Sequence, residues 1–425
     1  MKNHGIRLAS VTTVTLALVA GSVAISAPPA QAFTEGTSTV TPVGAQPEDA
    51  VRAVGHVYVA NHAGRSLSIL DAETMNVVDT VSGLGAPMSV AVAGVPPLMR
   101  YIVASTDPPS LEVVSGLSVV GSIPLPGTFP VQALVLPSAE NVWFAVDAMG
   151  SVIRQEGLAG ATTPLVLGGN PRSAVFNAAG NTLYVMDTQG RIIAVDPATM
   201  TILREYPIGG GNLTGVAVYG DRAYLSSSEG IVYKVNLVTG AVRSFTLGPA
   251  YTGIQVYWYG KYLYLTGRDT QALDIISAST GLLVNSLPLP EEPYRIVPPV
   301  QDDQRDVFVV NRTSSVAKIQ VKPDPPGRPT GWVSKSCTLA GGRVTARLAW
   351  NPPASPGDLV LEGYSFQLKR ASGTWANAQY TRRVETTGTL TTRGFAVGDR
   401  ISLRVRSLSL AGSSRWLRGT CVVAR

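Results

Sequence analysis

Cysteine and histidine are scarce in this sequence of 425 residues, which contains two cysteines and three histidines. Two cysteines cannot form a structural zinc site without other ligands, and His56 and His62 lie far from both of them in the sequence. No Ser-His-Asp order, phosphate-binding glycine loop or calcium-binding loop pattern occurs either. We therefore expect no cofactor and no metal, and the sequence gives little support for an enzyme.

Charged residues and helical patterns are also sparse. Charged residues make up 15% of the chain, against about a quarter in an average protein, whereas glycine (43) and proline (30) are abundant. No stretch between residues 50 and 322 shows sustained helical periodicity, which argues against parallel strands connected by helices. These features predict an all-β protein with many short strands, and the length predicts two domains.

The one long apolar run lies at the N-terminus. Positive charge at Lys2 and Arg7 precedes an apolar segment, residues 8–25, and residues 30–32 (AQA) are typical of a cleavage site. We predict a signal peptide over residues 1–32, with a retained membrane anchor as the alternative. No second apolar run of about 20 residues follows, so the mature protein is expected to be secreted, without a transmembrane segment.

A short signature recurs every 40 to 44 residues along the next part of the chain. Each copy has an aromatic residue or isoleucine, then apolar residues, then a small or polar residue. A unit of about 40–45 residues is the length of one four-stranded propeller blade. The seven copies are residues 58–61 (YVAN), 102–105 (IVAS), 144–147 (FAVD), 184–187 (YVMD), 224–227 (YLSS), 264–267 (YLTG) and 308–311 (FVVN).

The two ends of this repeat array are complementary. Only one further strand, residues 315–321, fits after the seventh signature, so the last blade lacks its outermost strand. A spare strand, residues 38–43, precedes the first signature. We expect it to complete the last blade and close the ring, because this pairs an otherwise exposed edge. The sequence thus predicts a seven-bladed β-propeller over residues 33–322.

The repeats resemble the YVTN-type repeats of bacterial surface and periplasmic propellers. The resemblance is carried by residues 58–61 (YVAN), 68–71 (SILD) and 74–78 (TMNVV) of the first unit and by residues 183–187 (LYVMD) of the fourth. It covers about 290 residues, and the second, third and sixth units depart from the motif. It implies the fold of a bacterial secreted propeller but no single function, because such propellers serve as binding platforms, adhesins and enzymes.

A second domain is predicted at the C-terminus. A proline-rich linker, residues 323–329, precedes residues 330–425, where about seven short strand-like runs predict an immunoglobulin-like sandwich. This region resembles a fibronectin type III domain. The resemblance is carried by residues 348–353 (LAWNPP), 362–366 (EGYSF) and 404–407 (RVRS), and the usual corner tyrosine is replaced by Ile401.

The cysteines and tryptophans of the C-terminal domain allow more specific expectations. In an exported chain, the pair Cys337 and Cys421 predicts one disulfide between the first and last strands of the sandwich. Trp350 and Tyr364 are expected in its core. The remaining candidates for stacking on sugar rings are Trp375 and Trp416.

The net charge of +6 hides an asymmetry between the two domains. Residues 33–324 carry a formal charge of −7, and residues 325–425 carry +11. A basic surface favours acidic polymers. We therefore expect the C-terminal domain to tether a monomeric protein to a cell-wall polymer, an anionic polysaccharide or a surface protein, and we do not expect nucleic acid. The alternative is that this charge only keeps the domain soluble.

Polar residues between the second and third strands of the blades, and between successive blades, are candidate ligand-binding residues. In propellers these loops surround one end of the channel, where several polar groups can bind one ligand. The alternative is that such residues satisfy the backbone of their own turns. The candidates are Asn61, His62, Asp147, Arg172, Asp187, Arg191, Glu229, Arg268, Asp269 and Arg312.

These features lead to a binding function and one enzymatic alternative. We expect a secreted, non-enzymatic binding or adhesion protein with the propeller as a recognition platform. The alternative is a hydrolase or lyase at the propeller mouth, either lactonase-like or associated with polysaccharide. In that case Asp147 and Asp187 would belong to a metal cluster, or His62 would be the base. A third hypothesis is that the protein is a purely structural spacer.

Overall fold

The computed structural model describes residues 33–94, 98–125, 129–137, 139–299, 305–323, 325–355, 357, 361–370, 372–381, 385–409 and 412–425. The predicted signal peptide, residues 1–32, lies outside this part of the chain. The described residues form strands, turns and connections, with no helix among them, which confirms the all-β prediction.

The first half of the chain forms strand β1 and three four-stranded blades. Strand β1 (Phe33–Pro42) precedes the first blade. The strands of blade 1 are β2 (Pro47–Ala53), β3 (His56–Asn61), β4 (Ser66–Asp71) and β5 (Val77–Ser82). Those of blade 2 are β6 (Pro87–Ala93), β7 (Arg100–Thr106), β8 (Pro109–Ser115) and β9 (Ser118–Pro124). Those of blade 3 are β10 (Pro130–Leu136), β11 (Ala139–Asp147), β12 (Ser151–Glu156) and β13 (Thr162–Val166).

Four further blades follow. The strands of blade 4 are β14 (Pro171–Phe176), β15 (Leu183–Asp187), β16 (Arg191–Asp196) and β17 (Thr201–Pro207). Those of blade 5 are β18 (Leu213–Tyr219), β19 (Arg222–Ser227), β20 (Ile231–Asn236) and β21 (Val242–Thr246). Those of blade 6 are β22 (Tyr251–Tyr257), β23 (Tyr262–Gly267), β24 (Ala272–Ser277) and β25 (Leu283–Pro288). Blade 7 contains β26 (Pro293–Ile296), β27 (Asp306–Asn311) and β28 (Ser315–Pro323).

The last blade takes its fourth strand from the start of the described chain. Strand β1 pairs antiparallel with β28, with Ser38 opposite Ile319 and Pro42 opposite Ser315. The sheet order is therefore β1-β28-β27-β26. Val40 packs against the apolar cluster between blades 6 and 7. The pairing removes the free edge that β28 would otherwise present.

The apolar core is divided among the junctions between neighbouring blades. In blade 4 the second strand, β15, is buried along its whole length, whereas the outermost strand, β17, is mostly exposed. Met186 and Ile192 of this blade pack in one cluster with Leu213 and Leu225 of blade 5. Because burying a leucine or isoleucine side chain stabilises a fold by about 1.5–3 kcal/mol, each junction contributes separately to the ring.

The C-terminal domain consists of two antiparallel groups of strands. The first group is β29 (Pro329–Ala340), β30 (Arg343–Pro353) and β33 (Thr387–Arg393). The second is β31 (Leu361–Leu368), β32 (Gln379–Thr381), β34 (Arg400–Ser409), β35 (Gly412–Ser413) and β36 (Leu417–Ala424). A short parallel pairing of β29 with β36, Cys337 opposite Val423, connects the groups.

One core fills this domain, and the predicted disulfide lies within it. Trp350 and Tyr364 are almost fully buried and pack edge to face, which confirms that they are core residues. Cys337 and Cys421 form a disulfide with their Cα atoms 5.9 Å apart. Ile401, paired with Cys421, is also fully buried, so an apolar side chain occupies this position.

Candidate functional site

The predicted mouth residues at strand ends form hydrogen bonds within their own blades. Asn61 and Asp187 are fully buried, and Asp147 nearly so. The Asp187 carboxylate accepts hydrogen bonds from the backbone N–H of Gln189 and from Nε of Arg191, both at 2.6 Å. Asp147 accepts from the backbone N–H of Met149 in the same way. These carboxylates therefore stabilise the turns that follow them.

Two further predicted residues are bonded across the rim. The Arg191 guanidinium contacts Asp187, lies 3.1 Å from Glu205 and donates to the carbonyl of Leu167 at 3.2 Å. The hydrogen bond to Asp187 raises the pKa of Arg191. Glu229 accepts a hydrogen bond from Nδ2 of Asn212 at 2.8 Å, between blades 4 and 5.

Arg268 and Arg312 are the predicted candidates that share one partner. Nε of Arg268 lies 3.4 Å from the Glu292 carboxylate, and Nε of Arg312 lies 3.9 Å from the same oxygen. The Arg312 guanidinium also lies 4.5 Å from the centre of the Tyr294 ring. Both arginines are about half exposed and share the Glu292 carboxylate.

The remaining candidates lie apart from this group. Arg172, on the inner strand β14, and Asp269 are exposed. His62 is half buried, and its Nδ1 atom has no hydrogen-bond partner within the described part of the chain. Among the described residues, no group of three or more histidine, cysteine, aspartate or glutamate side chains is arranged to hold a metal ion. The ligand-binding roles assigned to the mouth residues remain predictions.

Polar side chains of the central channel connect neighbouring inner strands. Nη1 of Arg295 lies 3.5 Å from Oδ1 of Asp49, and Asp49 also accepts from the Ser89 hydroxyl at 2.5 Å. The Gln132 side chain makes two hydrogen bonds to the backbone of Ala174. Burial lowers the pKa of Arg295, but Asp49 and its other neighbours outweigh this and raise it. The free channel volume here is about 160 Å³.

A larger cleft lies at the opposite end of the blades from the predicted mouth. Its volume is about 670 Å³, and it is formed where the turns between the first and second strands of blades 5 and 6 meet. None of the candidate residues predicted from the sequence lies here, because all of them belong to the loops at the other end of the blades. A signal was present: a Tyr-Gly turn with a nearby cation occurs at Tyr219 and again 40 residues later at Tyr259. Its described lining includes the aromatic and charged side chains of Tyr219, Asp221, Arg222, Lys234, Tyr259 and Lys261.

The C-terminal domain presents an alternating series of tryptophan and arginine side chains, here called the Arg–Trp face. The Cζ atom of Arg404 lies 4.0 Å from the ring centre of Trp375 and 4.2 Å from that of Trp416. The Cζ atom of Arg406 lies 4.5 Å from the same Trp416 ring. Arg418 pairs directly with Arg404 across β34 and β36 and is exposed.

Hydrogen bonds hold this face in place. Nε of Arg404 donates to Oε1 of Gln367 at 2.8 Å, and Nη1 of Arg406 donates to the Ser413 hydroxyl at 2.9 Å. Along β34 the arginines alternate with the buried Leu403 and Val405, so the fold itself points them away from the core. Burial, followed by the charges of Arg418 and Arg406, lowers the pKa of Arg404.

Comparison with known proteins supports the fold and no more than the fold. No protein-family model matches the chain, and no curated protein matches it. The β-propeller domain of Cps50 (Swd1) from Myceliophteria thermophila has a TM-score of 0.57 at 14% identity, covering 68% of this chain and 99% of that one. A catalytically inactive virginiamycin B lyase from Staphylococcus aureus, solved with quinupristin, has a TM-score of 0.56 at 12% identity, covering 67% of this chain and 99% of its own.

These similarities support the propeller fold, whose seven blades the sheet topology shows, and at such low identities they carry no information about a shared activity. Within the described residues, no helix is both long enough and apolar enough to span a membrane.

Proposed function

We propose that the protein is a secreted, non-enzymatic binding protein that attaches to an anionic cell-wall polymer or polysaccharide through its C-terminal domain. The propeller provides the recognition platform. The observation that carries this proposal is the Arg–Trp face, in which Arg404 lies between the rings of Trp375 and Trp416. Stacking of this kind fixes the guanidinium groups before a ligand arrives, which lowers the entropy cost of binding.

The electrostatics of the face favour a negatively charged partner. Arg404, Arg406 and Arg418 lie side by side, and the first of them has its pKa lowered by burial and by the other two. The whole segment 325–425 has 15 basic and 4 acidic residues. An acidic polymer would offset this repulsion, and arginine binds carboxylate, sulfate and phosphate groups through paired hydrogen bonds.

The same proposal includes the location of the protein, the family of its C-terminal domain and the family of its repeats. The disulfide Cys337–Cys421 supports an extracellular location, because such bonds persist in oxidising compartments. The grouping of three strands and four, with the two-residue β35 added to the second group, supports the resemblance to a fibronectin type III domain. The recurrence of the signature strand in all seven blades supports the resemblance to YVTN-type repeats.

Retention of the full-length protein on immobilised polygalacturonate, in a rising sodium chloride gradient, tests the tether. The face variant carries Arg406→Gln and Arg418→Gln. The control variant carries Arg343→Gln and Arg393→Gln, two exposed arginines paired across β30 and β33 of the other strand group. We expect the face variant to elute at clearly lower salt than the control, although both lose the same charge. Equal elution of the two variants would show that the Arg–Trp face is not the binding surface.

A further inference from the structure

The cleft between blades 5 and 6 has the size of a site for a small ligand. Its volume of about 670 Å³ lies within the range of about 300–1,000 Å³ that is usual for such sites. A smaller lobe of about 290 Å³, lined by Arg222, Lys234, Asn236 and Arg243, adjoins it through two shared residues. The two cavities together run from the turn of blade 6 to the outer strand of blade 5.

The cleft is positively charged. Lys234 is half buried between the blades, where its Nζ atom donates to the Ala278 carbonyl at 2.7 Å and lies 5.7 Å from the Tyr224 ring. Burial lowers the pKa of Lys234, and the neighbouring Arg222 and Arg243 lower it further. Asp221, at 3.4 Å from Arg222, is the single acidic residue among the described lining residues. An anion placed here would relieve the repulsion among these cations.

Aromatic rings form the walls of the same cleft. Tyr259 is 46% exposed, and both it and Trp258 adopt left-handed backbone conformations with φ of 56° and 54°. Such conformations cost about 1–3 kcal/mol each for bulky residues, and they place the Tyr259 side chain at the rim. Gly260 packs against the opposite wall, because a Cβ atom there would lie only 2.5 Å from the Tyr219 ring.

We propose that this cleft binds a carboxylate-bearing sugar unit, with the carboxylate held by Arg222 and Lys234 and the sugar ring placed against Tyr259. Arginine and lysine recognise a carboxylate through charge-assisted hydrogen bonds. Tyrosine offers an apolar ring face to the C–H groups of a sugar and a hydroxyl group to its hydroxyls. The residues differ from those of the Arg–Trp face, so this inference stands independently of the proposed tether.

Calorimetric titration with trigalacturonate tests the site. The full-length face variant Arg406→Gln, Arg418→Gln is used as the parent, so that binding to the C-terminal domain does not contribute. Adding Arg222→Gln to this parent should weaken the affinity about tenfold or more, because a hydrogen bond to a charged group contributes about 1.5–3 kcal/mol. Adding Tyr259→Ala should weaken it about threefold or more, because it removes the ring face that contacts the sugar. The matched controls are Arg343→Gln and Tyr380→Ala, which change an exposed arginine and an exposed tyrosine outside both proposed sites.

Two ligand controls identify the chemistry. A neutral galactose trisaccharide lacks the carboxylate and should bind at least about tenfold more weakly than trigalacturonate. Inorganic phosphate lacks the ring and should also bind more weakly. The proposal is overturned if trigalacturonate shows no saturable binding, if it binds equally to parent and cleft variants, or if phosphate binds as tightly as the acidic sugar.

Discussion

Nη1 of Arg295 lies 3.5 Å from Oδ1 of Asp49, and this contact joins the innermost strand of the last blade to that of the first. The two residues are separated by almost the whole propeller in sequence. Their side chains are only 21% and 15% exposed. The pair therefore complements the closure by β1: the outer strand closes the last blade, and the ion pair connects that blade to the first at the channel.

Replacement of Arg295 by methionine should destabilise the propeller. The substitution leaves the mostly buried Asp49 carboxylate without its cation, and we expect the free energy of unfolding to fall by about 2 kcal/mol. Differential scanning calorimetry of the full-length protein measures the change. Arg172→Met removes an exposed arginine from another inner strand and should shift the transition little. Equal shifts in the two variants would show that the Asp49 contact contributes nothing.

Introducing a charge on the inner side of β1 should open the last blade. Val40 packs into the cluster between blades 6 and 7, so Val40→Asp should cost about 2 kcal/mol and free the edge of β28. We expect concentration-dependent association of this variant in light scattering coupled to size-exclusion chromatography. Its neighbour Thr39 is exposed, and Thr39→Asp should remain monomeric. If both variants behave as the unmodified chain does, β1 is not needed for closure.

Loss of the disulfide should destabilise the C-terminal domain alone. Cys337 and Cys421 are 84 residues apart, and closing a loop of this length stabilises a domain by about 4–5 kcal/mol in the chain-entropy model. The double variant Cys337→Ala, Cys421→Ala should unfold its C-terminal domain at much lower urea concentration. The calorimetric transition of the propeller serves as the internal control and should not move. A change of less than about 1 kcal/mol would contradict the prediction.

Binding of the acidic trisaccharide in the blade 5–6 cleft should depend on pH through Lys234. Its pKa is lowered by burial and by Arg222 and Arg243, so it loses its charge at a lower pH than the usual value of about 10.4. Affinity should therefore be full below the lowered pKa and fall as pH rises through it. The groups that face Lys234 are Arg222, Arg243, Asp221 and Tyr224, and burial raises the pKa of Tyr224.

Lys234→Arg provides the control for this titration, because arginine keeps its charge throughout the range. The dissociation constant for trigalacturonate should rise with pH in the parent and stay nearly constant in the variant. Lys261, Tyr219, Tyr259 and Tyr262 also line the cleft and are present in both proteins, so they cannot produce a difference between the two. If the dissociation constant changed with pH in the same way in the parent and in Lys234→Arg, Lys234 would be excluded as the titrating group.

The propeller could be predicted because its second strands are buried on both faces. Every residue of β15 is buried, so the strand is apolar up to Asp187 at its end, and the recurrence of such strands reveals the blade length. The roles of strand-end residues could not be predicted. Whether Asp187 faces a ligand or its own turn depends on the direction of one side chain, and here Gln189 and Arg191 occupy it.

Where a site combines distant parts of the chain, the sequence indicates single residues of the site but not the whole arrangement. Alternation along β34 puts Arg404 and Arg406 on one face, but Trp375 and Trp416 come from separate turns and meet them only in the folded domain. The blade 5–6 cleft combines residues from two neighbouring repeats, so neither repeat contains the whole site. The repeat period of the sequence therefore predicts the strands of each blade but not the clefts between neighbouring blades.

The proposed attachment to acidic polymers is tested most directly by the salt dependence of affinity for polygalacturonate. The dissociation constant is measured at about 50 and about 200 mM sodium chloride for full-length protein carrying Arg222→Gln, which removes the contribution of the cleft. We expect binding to weaken markedly at the higher salt, with Arg406→Gln, Arg418→Gln losing most of the affinity and Arg343→Gln, Arg393→Gln retaining it. Affinity that does not change with salt, or that falls equally in the two variants, would contradict the proposed function.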